Sequence, residues 1–237
     1  MMALIAYLLR SYTRSQRYFA PFAGLVIAVL VLYSYKPNPV MNSYAATAVL
    51  LFIGCAWMGL SFLNHEHSVQ AQITIVHLRS ARKYTAGRLI TLALLTLLLD
   101  LLIVIYPLVS DRFDEPAGGY RILVALVGHG LLGMLGIAIA LYLQASWVKK
   151  SSHALGILLA IIAISIGATK ISSLLPAQWQ LLTLLLPPVS PMMDTLMNAD
   201  TLPISDVLLS FVHVFLYTAV LVALYLYLSG RKDNNKN

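Results

Sequence analysis

Long apolar runs alternate with short polar stretches along this chain, and their lengths set the first expectation. The runs cover about 19–35, 43–63, 89–109, 122–146, 153–175 and 207–229. A helix that crosses the hydrocarbon core of a bilayer needs ~20 mostly apolar residues. Inside lipid every backbone polar group must be satisfied within the segment, which selects helices. The pattern therefore predicts an all-α integral membrane protein, a single domain over 1–237 with six transmembrane helices. Six crossings return both termini to one side.

Three stretches depart from that pattern. In residues 2–18, Leu4, Leu8 and Tyr12 with Ile5 and Leu9 form one face, while Arg10, Arg14 and Arg17 recur at helical spacing. Region 1–18 is therefore expected to be a helix lying in the membrane interface. A basic start before an apolar run has the outline of a secretory signal. No A-x-A-like site precedes Lys36-Pro37-Asn38-Pro39, however, so 19–35 is expected to be a retained first span.

The polar stretch 64–88, NHEHSVQAQITIVHLRSARKYTAGR, organises the rest. Val69, Ile73 and Val76 fall at i, i+4 and i+7, one apolar stripe on a short amphipathic helix. A helix that small is unstable alone in water. It is expected to dock on the membrane surface, on the rest of the chain, or on a separate cytosolic protein. The plain alternative is a solvated basic loop that only fixes topology.

The third stretch, 176–206, is apolar but too short to cross. Pro187, Pro188 and Pro191 are expected to break any helix there, because proline lacks a donor and clashes with the preceding turn. Such a segment fits a re-entrant hairpin covered by protein or facing water. An interfacial helix lying flat is the other reading.

Charge then orients the molecule. Arg10, Arg14 and Arg17, the group Arg79, Arg82, Lys83 and Arg88, the pair Lys149 and Lys150, and Arg231, Lys232 and Lys236 of the tail (230–237) make up 12 of the 16 basic residues. The positive-inside rule puts these faces, and so both termini, in the cytoplasm of a plasma (inner) membrane protein. The opposite face holds Lys36, Arg112, Arg121 and Lys170 with most of the acids.

Composition agrees with the pattern. The chain is 59% apolar and 11% charged, with a mean hydropathy of +0.81, far from a soluble globule. A net charge of +7 in a soluble protein would point to nucleic acid. Here the bases flank apolar runs, so anionic lipid and orientation account for them and no nucleic-acid partner is expected. The one cysteine, Cys55, offers neither a disulfide framework nor a thiolate metal site within one chain.

Several short motifs bear on chemistry. Residues 128–133 spell G-x-G-x-x-G, but that fingerprint requires a strand and a soluble βαβ unit. Ala125, His129, Gly133, Gly136 and Ala140 instead recur at helical steps, the mark of a close-packing face. His65-Glu66-His67 lacks the spacing of H-E-x-x-H, since position 69 is Val69, so no metal site is expected. Around Ser61 the second glycine of G-x-S-x-G is missing, which argues against an intramembrane protease. Asp100 stands out, because an ionisable group inside a span marks a function or an internal partner. By counting, His129, Lys170 and His213 lie at comparable depths. The four form either a polar patch on a path or interhelical bonds, with Asp100 paired to Lys170 or a histidine.

Six spans, a basic amphipathic helix before the first, a polar helix preceded by Glu66 after the second, and a broken apolar segment before the sixth resemble the membrane subunit of an ATP-binding-cassette transporter. The resemblance is to the type-2 exporter permease family. It implies that Glu66 and 68–78 form a coupling helix whose Val69, Ile73 and Val76 engage a cytosolic ATPase, with Arg79, Arg82 and Lys83 matching the basic residues that follow it. Family members often carry a proline after that helix, and HLRSARKY has none, so the helix end is open. Region 1–18 would be the connecting helix and 178–197 the outer hairpin.

No G-x-x-x-x-G-K-[ST] occurs, so ATP and Mg belong on a partner chain, and no catalytic residue or cofactor is expected here. A second permease copy, identical or related, completes the path, and membrane lipid surrounds it. The expected cargo is an amphipathic or lipophilic molecule such as a peptide, an antibiotic or a lipid-like compound. The rival reading is a proton-coupled secondary carrier using Asp100 and His129, though the inverted repeats common in such carriers are not found.

Overall fold

The computed structural model describes residues 1–176, 178, 183 and 185–234, the last four through their backbone only. Among the described residues the chain folds as α1 (Met2–Arg14), α2 (Phe19–Leu32), α3 (Val40–Leu63), α4 (Ser68–Leu78), α5 (Ala81–Val109), α6 (Gly118–Leu141), α7 (Ser151–Ile166), α8 (Ala168–Leu174), α9 (Val189–Met197) and α10 (Ile204–Asn234). Lys236 of the tail, and 177, 179–182 and 184 of the expected hairpin, lie outside the described residues.

Helices α3, α5, α6 and α10 are each long and apolar enough to cross a membrane. The count rises to six if each of two bent pairs, α1 with α2 and α7 with α8, makes one crossing. This is an all-helical, multi-pass membrane protein.

The centre is the α3–α6 pair, and the small residues make it so. Gly136 sits where an added Cβ would come 2.4 Å from the Phe52 carbonyl oxygen and 3.0 Å from the Ala56 nitrogen, so the two backbones touch there. His129, Ala125, Gly133 and Ala140 lie on the same buried face of α6. The 128–133 glycines thus serve helix packing. In α3, 18 of the 24 residues are buried, which explains an apolar run without amphipathic period. Helix α10, by contrast, exposes Leu209, Val212, Phe215, Leu216 and Val220 on its outer side, as a lipid-facing helix does.

At the end where α2 and α5 finish, 33–38 and 110–114 lie side by side. The Asn38 amide donates to the Arg112 carbonyl (3.1 Å), the Asp114 amide donates to the Asn38 carbonyl (3.0 Å), and Lys36 pairs with Asp111 at 2.5 Å. The Tyr33 ring is buried edge-on to Tyr106 and Phe113.

Five expectations need correction. The apolar face of α1 does not rest on lipid alone: Leu4, Ile5, Leu8 and Tyr12 are buried in the protein. Helix α1 approaches α5 at Gly87, where a Cβ would meet Leu4 Cδ2 at 2.3 Å. The first apolar helix is also shorter than 19–35, because α2 stops at Leu32 and α1 meets it at 80° through a turn in which Gln16 takes φ +55°.

The run 122–146 ends as helix at Leu141. The run 153–175 is broken at Gly167, where α8 turns 65° away from α7. Past that break the Thr169 and Ser190 hydroxyls meet at 2.7 Å, tying α8 to α9, and a polar bond of that kind is what a continuous apolar span would have forgone. Finally, Pro191 does not break a helix. It is the third residue of α9, in the first turn, where amide groups have no helical acceptor to lose. Helix α9 buries Val189, Met192 and Leu196 among its neighbours.

Candidate functional site

Helix α4 carries Val69, Ile73 and Val76 and is flanked by Glu66 before it and by Arg79, Arg82 and Lys83 after it. It begins after His67 in extended conformation and ends at Arg79, whose φ of +51° is left-handed. The absent proline is replaced by that left-handed residue: it stops α4, and Ser80 starts α5 by accepting a hydrogen bond from the Lys83 amide at 3.2 Å. Only two residues separate the helices.

The stripe Val69, Ile73 and Val76 points away from the protein, at 63%, 54% and 73% exposure. The side that faces the core is Ala71, Ile75 and Leu78, also at i, i+4 and i+7. Of the three docking surfaces open from sequence, the rest of this chain is therefore excluded for Val69, Ile73 and Val76. Arg79, Arg82 and Lys83 are exposed beside them.

A polar network holds the base of α4. The Tyr84 hydroxyl donates to Glu66 Oε2, while Glu66 Oε1 is buried without a partner. Arg88 Nη2 donates to the Leu63 carbonyl (2.8 Å) and to Gln144 Oε1 (3.3 Å), and its guanidinium lies 5.6 Å from the Tyr84 ring centre. Gln144 Nε2 in turn donates to the Tyr225 hydroxyl at 2.9 Å. The Ala145 amide donates to Asn64 Oδ1 at 2.7 Å. These contacts border a cavity of about 310 Å³.

From the other side, Arg17 Nη1 donates to the Asn64 carbonyl at 2.5 Å, and His65 Nε2 lies 3.2 Å from Ser11 Oγ. Burial lowers the pKa of His65 from its ordinary value of 6.5, outweighing the Phe62 carbonyl and Glu66 that favour its charged form. The ends of α1, α3, α5, α6 and α10 thus converge on 64–67. Glu66 and Arg88 were visible in the sequence; Tyr84, Gln144 and Tyr225 were missed. Their signal was faint: isolated polar side chains at the ends of apolar runs that belong on one side of the membrane.

The intramembrane polar residues do not form one patch. Asp100 is 2% exposed on α5, with Oδ2 against Gly130 of α6 and Oδ1 buried without a partner. The pairing expected with Lys170 or a histidine is not formed. His129 Nδ1 donates to the Ala125 carbonyl (2.8 Å), which leaves Nε2 to accept from the Thr47 hydroxyl (2.9 Å). Both ring nitrogens are used, between α3 and α6, and the ring stands edge-on to Tyr44. Lys170 is exposed on α8, and His213 is exposed on α10 beside a cleft shared with α8 and α9.

No protein-family model, curated protein or solved structure matches this chain. What the fold and these geometries define is an all-helical multi-pass membrane protein with an exposed apolar helix face locked to its helix ends.

Proposed function

We propose that this chain is the permease subunit of an ATP-binding-cassette exporter of the type-2 kind, moving an amphipathic or lipophilic cargo with ATP hydrolysed on a separate cytosolic subunit. In this reading α2 and α7 each cross by themselves beside α3, α5, α6 and α10, and the six crossings leave both termini in the cytoplasm of a plasma (inner) membrane protein. Helix α1 is the interfacial connecting helix, α4 the coupling helix, and α8 with α9 the broken outer segment. A second permease copy, identical or related, completes the path.

The observation that carries the reading is the exposed Val69, Ile73 and Val76 face on a helix anchored by Glu66, Tyr84 and Arg88. An apolar face held rigidly in water costs free energy unless a partner covers it. Covering the exposed parts of these three side chains contributes ~3–6 kcal/mol, taking ~1.5–3 kcal/mol for each fully buried Val or Ile. The fixed base is what allows a displacement of α4 to reach the spans.

The test is purification of the full chain from its native membrane in mild detergent. Vanadate-sensitive ATP hydrolysis is expected to co-elute with it. Ile73→Asp, an exposed position, is expected to cost ~100-fold in that association with no change in thermal stability. A chain that transports in proteoliposomes without any nucleotide-hydrolysing partner would overturn the proposal.

A further inference from the structure

Two cavities adjoin on the α7–α10 side of the molecule. The larger, about 550 Å³, is bordered by Thr169, Ser172 and Ser173 of α8, Asp194 of α9 and His213 of α10. The smaller, about 310 Å³, is apolar, with Ile161 and Ile164 of α7 facing Tyr217 and Leu221 of α10. Leu186 and Pro187 border both. Along α10, His213, Tyr217 and Leu221 follow at i, i+4 and i+8, so one helix face runs from the polar chamber into the apolar one over ~12 Å. At the junction the Tyr217 hydroxyl donates to the Leu185 carbonyl at 2.7 Å.

The polar chamber has a definite chemistry. Asp194 is the one acidic or basic side chain other than His213 that borders it among the described residues, and it joins none of the ion pairs found there. Asp194 is exposed on α9, with its Oδ2 3.5 Å from Thr169 Oγ1, which itself meets Ser190 Oγ at 2.7 Å, so the carboxylate stands beside a row of hydroxyls. A primary ammonium group has three donors and no acceptor. A carboxylate flanked by hydroxyl oxygens satisfies it, and an anionic head with no ammonium of its own would meet like charge. The apolar chamber beyond takes a hydrocarbon tail.

We infer that this cleft binds a long-chain amine, its ammonium on Asp194 and its tail along Tyr217 and Leu221. As the cargo site of an exporter it rests on the transporter reading; as a binding site it is tested without that reading.

The probes are three chains of equal length, each with a diazirine in the tail, ended by a primary amine, a hydroxyl or a carboxylate. They are photolysed with the full chain in nanodiscs of phosphatidylcholine, and cross-linked peptides are mapped by mass spectrometry. The amine probe is expected to label α7 and α10 around Tyr217 and Leu221 and to exceed the carboxylate probe about tenfold, the worth of one charge-assisted hydrogen bond. Asp194→Asn is expected to remove that preference while leaving hydroxyl-probe labelling unchanged, which also shows that the variant is folded. Leu221→Trp, filling the tail chamber, is expected to reduce all three. Competition by phosphatidylethanolamine added to the nanodiscs would identify a bilayer lipid as the amine; its absence leaves a free amphiphile.

Equal labelling by amine and carboxylate probes, or an unchanged preference in Asp194→Asn, overturns the inference. No ATPase is present in this assay. A failure here therefore leaves the co-elution result standing, and a failure of co-elution leaves this site standing.

Discussion

Replacing Gly136 by alanine tests the packing on which the whole bundle rests. In a helix interior Gly→Ala ordinarily stabilises by about 1 kcal/mol, because glycine loses more backbone freedom on folding. At Gly136 the new methyl would lie 2.4 Å from the Phe52 carbonyl oxygen and 3.0 Å from the Ala56 nitrogen, both backbone atoms of α3. Neither can rotate away. Restoring contact distance requires α3 and α6 to part by about 1 Å, and gaps of that size forfeit a quarter to a half of each dispersion contact along the seam. Overpacking of this kind costs about 1–3 kcal/mol. Against the propensity gain, the net loss is about 0–2 kcal/mol, a fall in Tm of up to about 8 °C for a chain of this size and about 1–3 kcal/mol less stability than a Gly→Ala change that meets no backbone.

The assay can be read at the seam itself. Cys55, the one cysteine, is fully buried on α3, 3.3 Å from where a Cβ on Gly133 would lie. A thiol-reactive maleimide dye therefore reports opening of this interface on heating. Gly156→Ala is the paired control, since nothing lies within 4 Å of its Cβ position on α7; its Tm should hold or rise. A Gly136→Ala protein as stable as the Gly156→Ala protein would refute the close α3–α6 approach.

Two further outcomes follow from the base of α4. Tyr84→Phe removes the hydroxyl that donates to Glu66 Oε2, leaving a partly buried carboxylate short of a donor, so a loss of about 1–3 kcal/mol is expected. Adding Glu66→Leu to Tyr84→Phe should recover part of the loss; if the double variant loses the sum of the two single losses, the bond is not what holds the loop. The other outcome concerns pH. Because the folded pKa of His65 lies below the unfolded value of 6.5, the unfolded chain binds more protons just below that pH. The His65 contribution is thus present above pH 6.5 and is lost as pH falls toward the folded pKa. Tm measured from pH 7.5 to 5.0 should decline, and His65→Gln should flatten part of the decline; an identical slope in the variant would remove His65 as its source.

The apolar runs were long enough to announce an all-helical membrane protein, and the spacing of Gly133, Gly136 and Ala140 announced the tight face of α6. Run length alone could not show where helices stop. Gly167 breaks one because hydroxyls beyond it bond to α9, and Pro191 fails to break another because of its place in the first turn. Both outcomes depend on tertiary neighbours or on the helix start, which hydropathy does not encode. The amphipathic period of α4 was legible from Val69, Ile73 and Val76. Which side faced inward was not, since Ala71, Ile75 and Leu78 have the same spacing. Depth counting likewise grouped Asp100, His129, Lys170 and His213, but depth fixes one coordinate of three. Thr47 and Ala125 take both nitrogens of His129.

Arg88 Nη2 grips both the last carbonyl of α3 and the amide oxygen of Gln144, whose amide group continues to Tyr225 of α10. A load placed on the 64–67 corner therefore spreads into several staves of the barrel together, as a hub shares torque among spokes. At α8 and α9 the Thr169 hydroxyl meets that of Ser190 at 2.7 Å and lies 3.5 Å from Asp194 Oδ2.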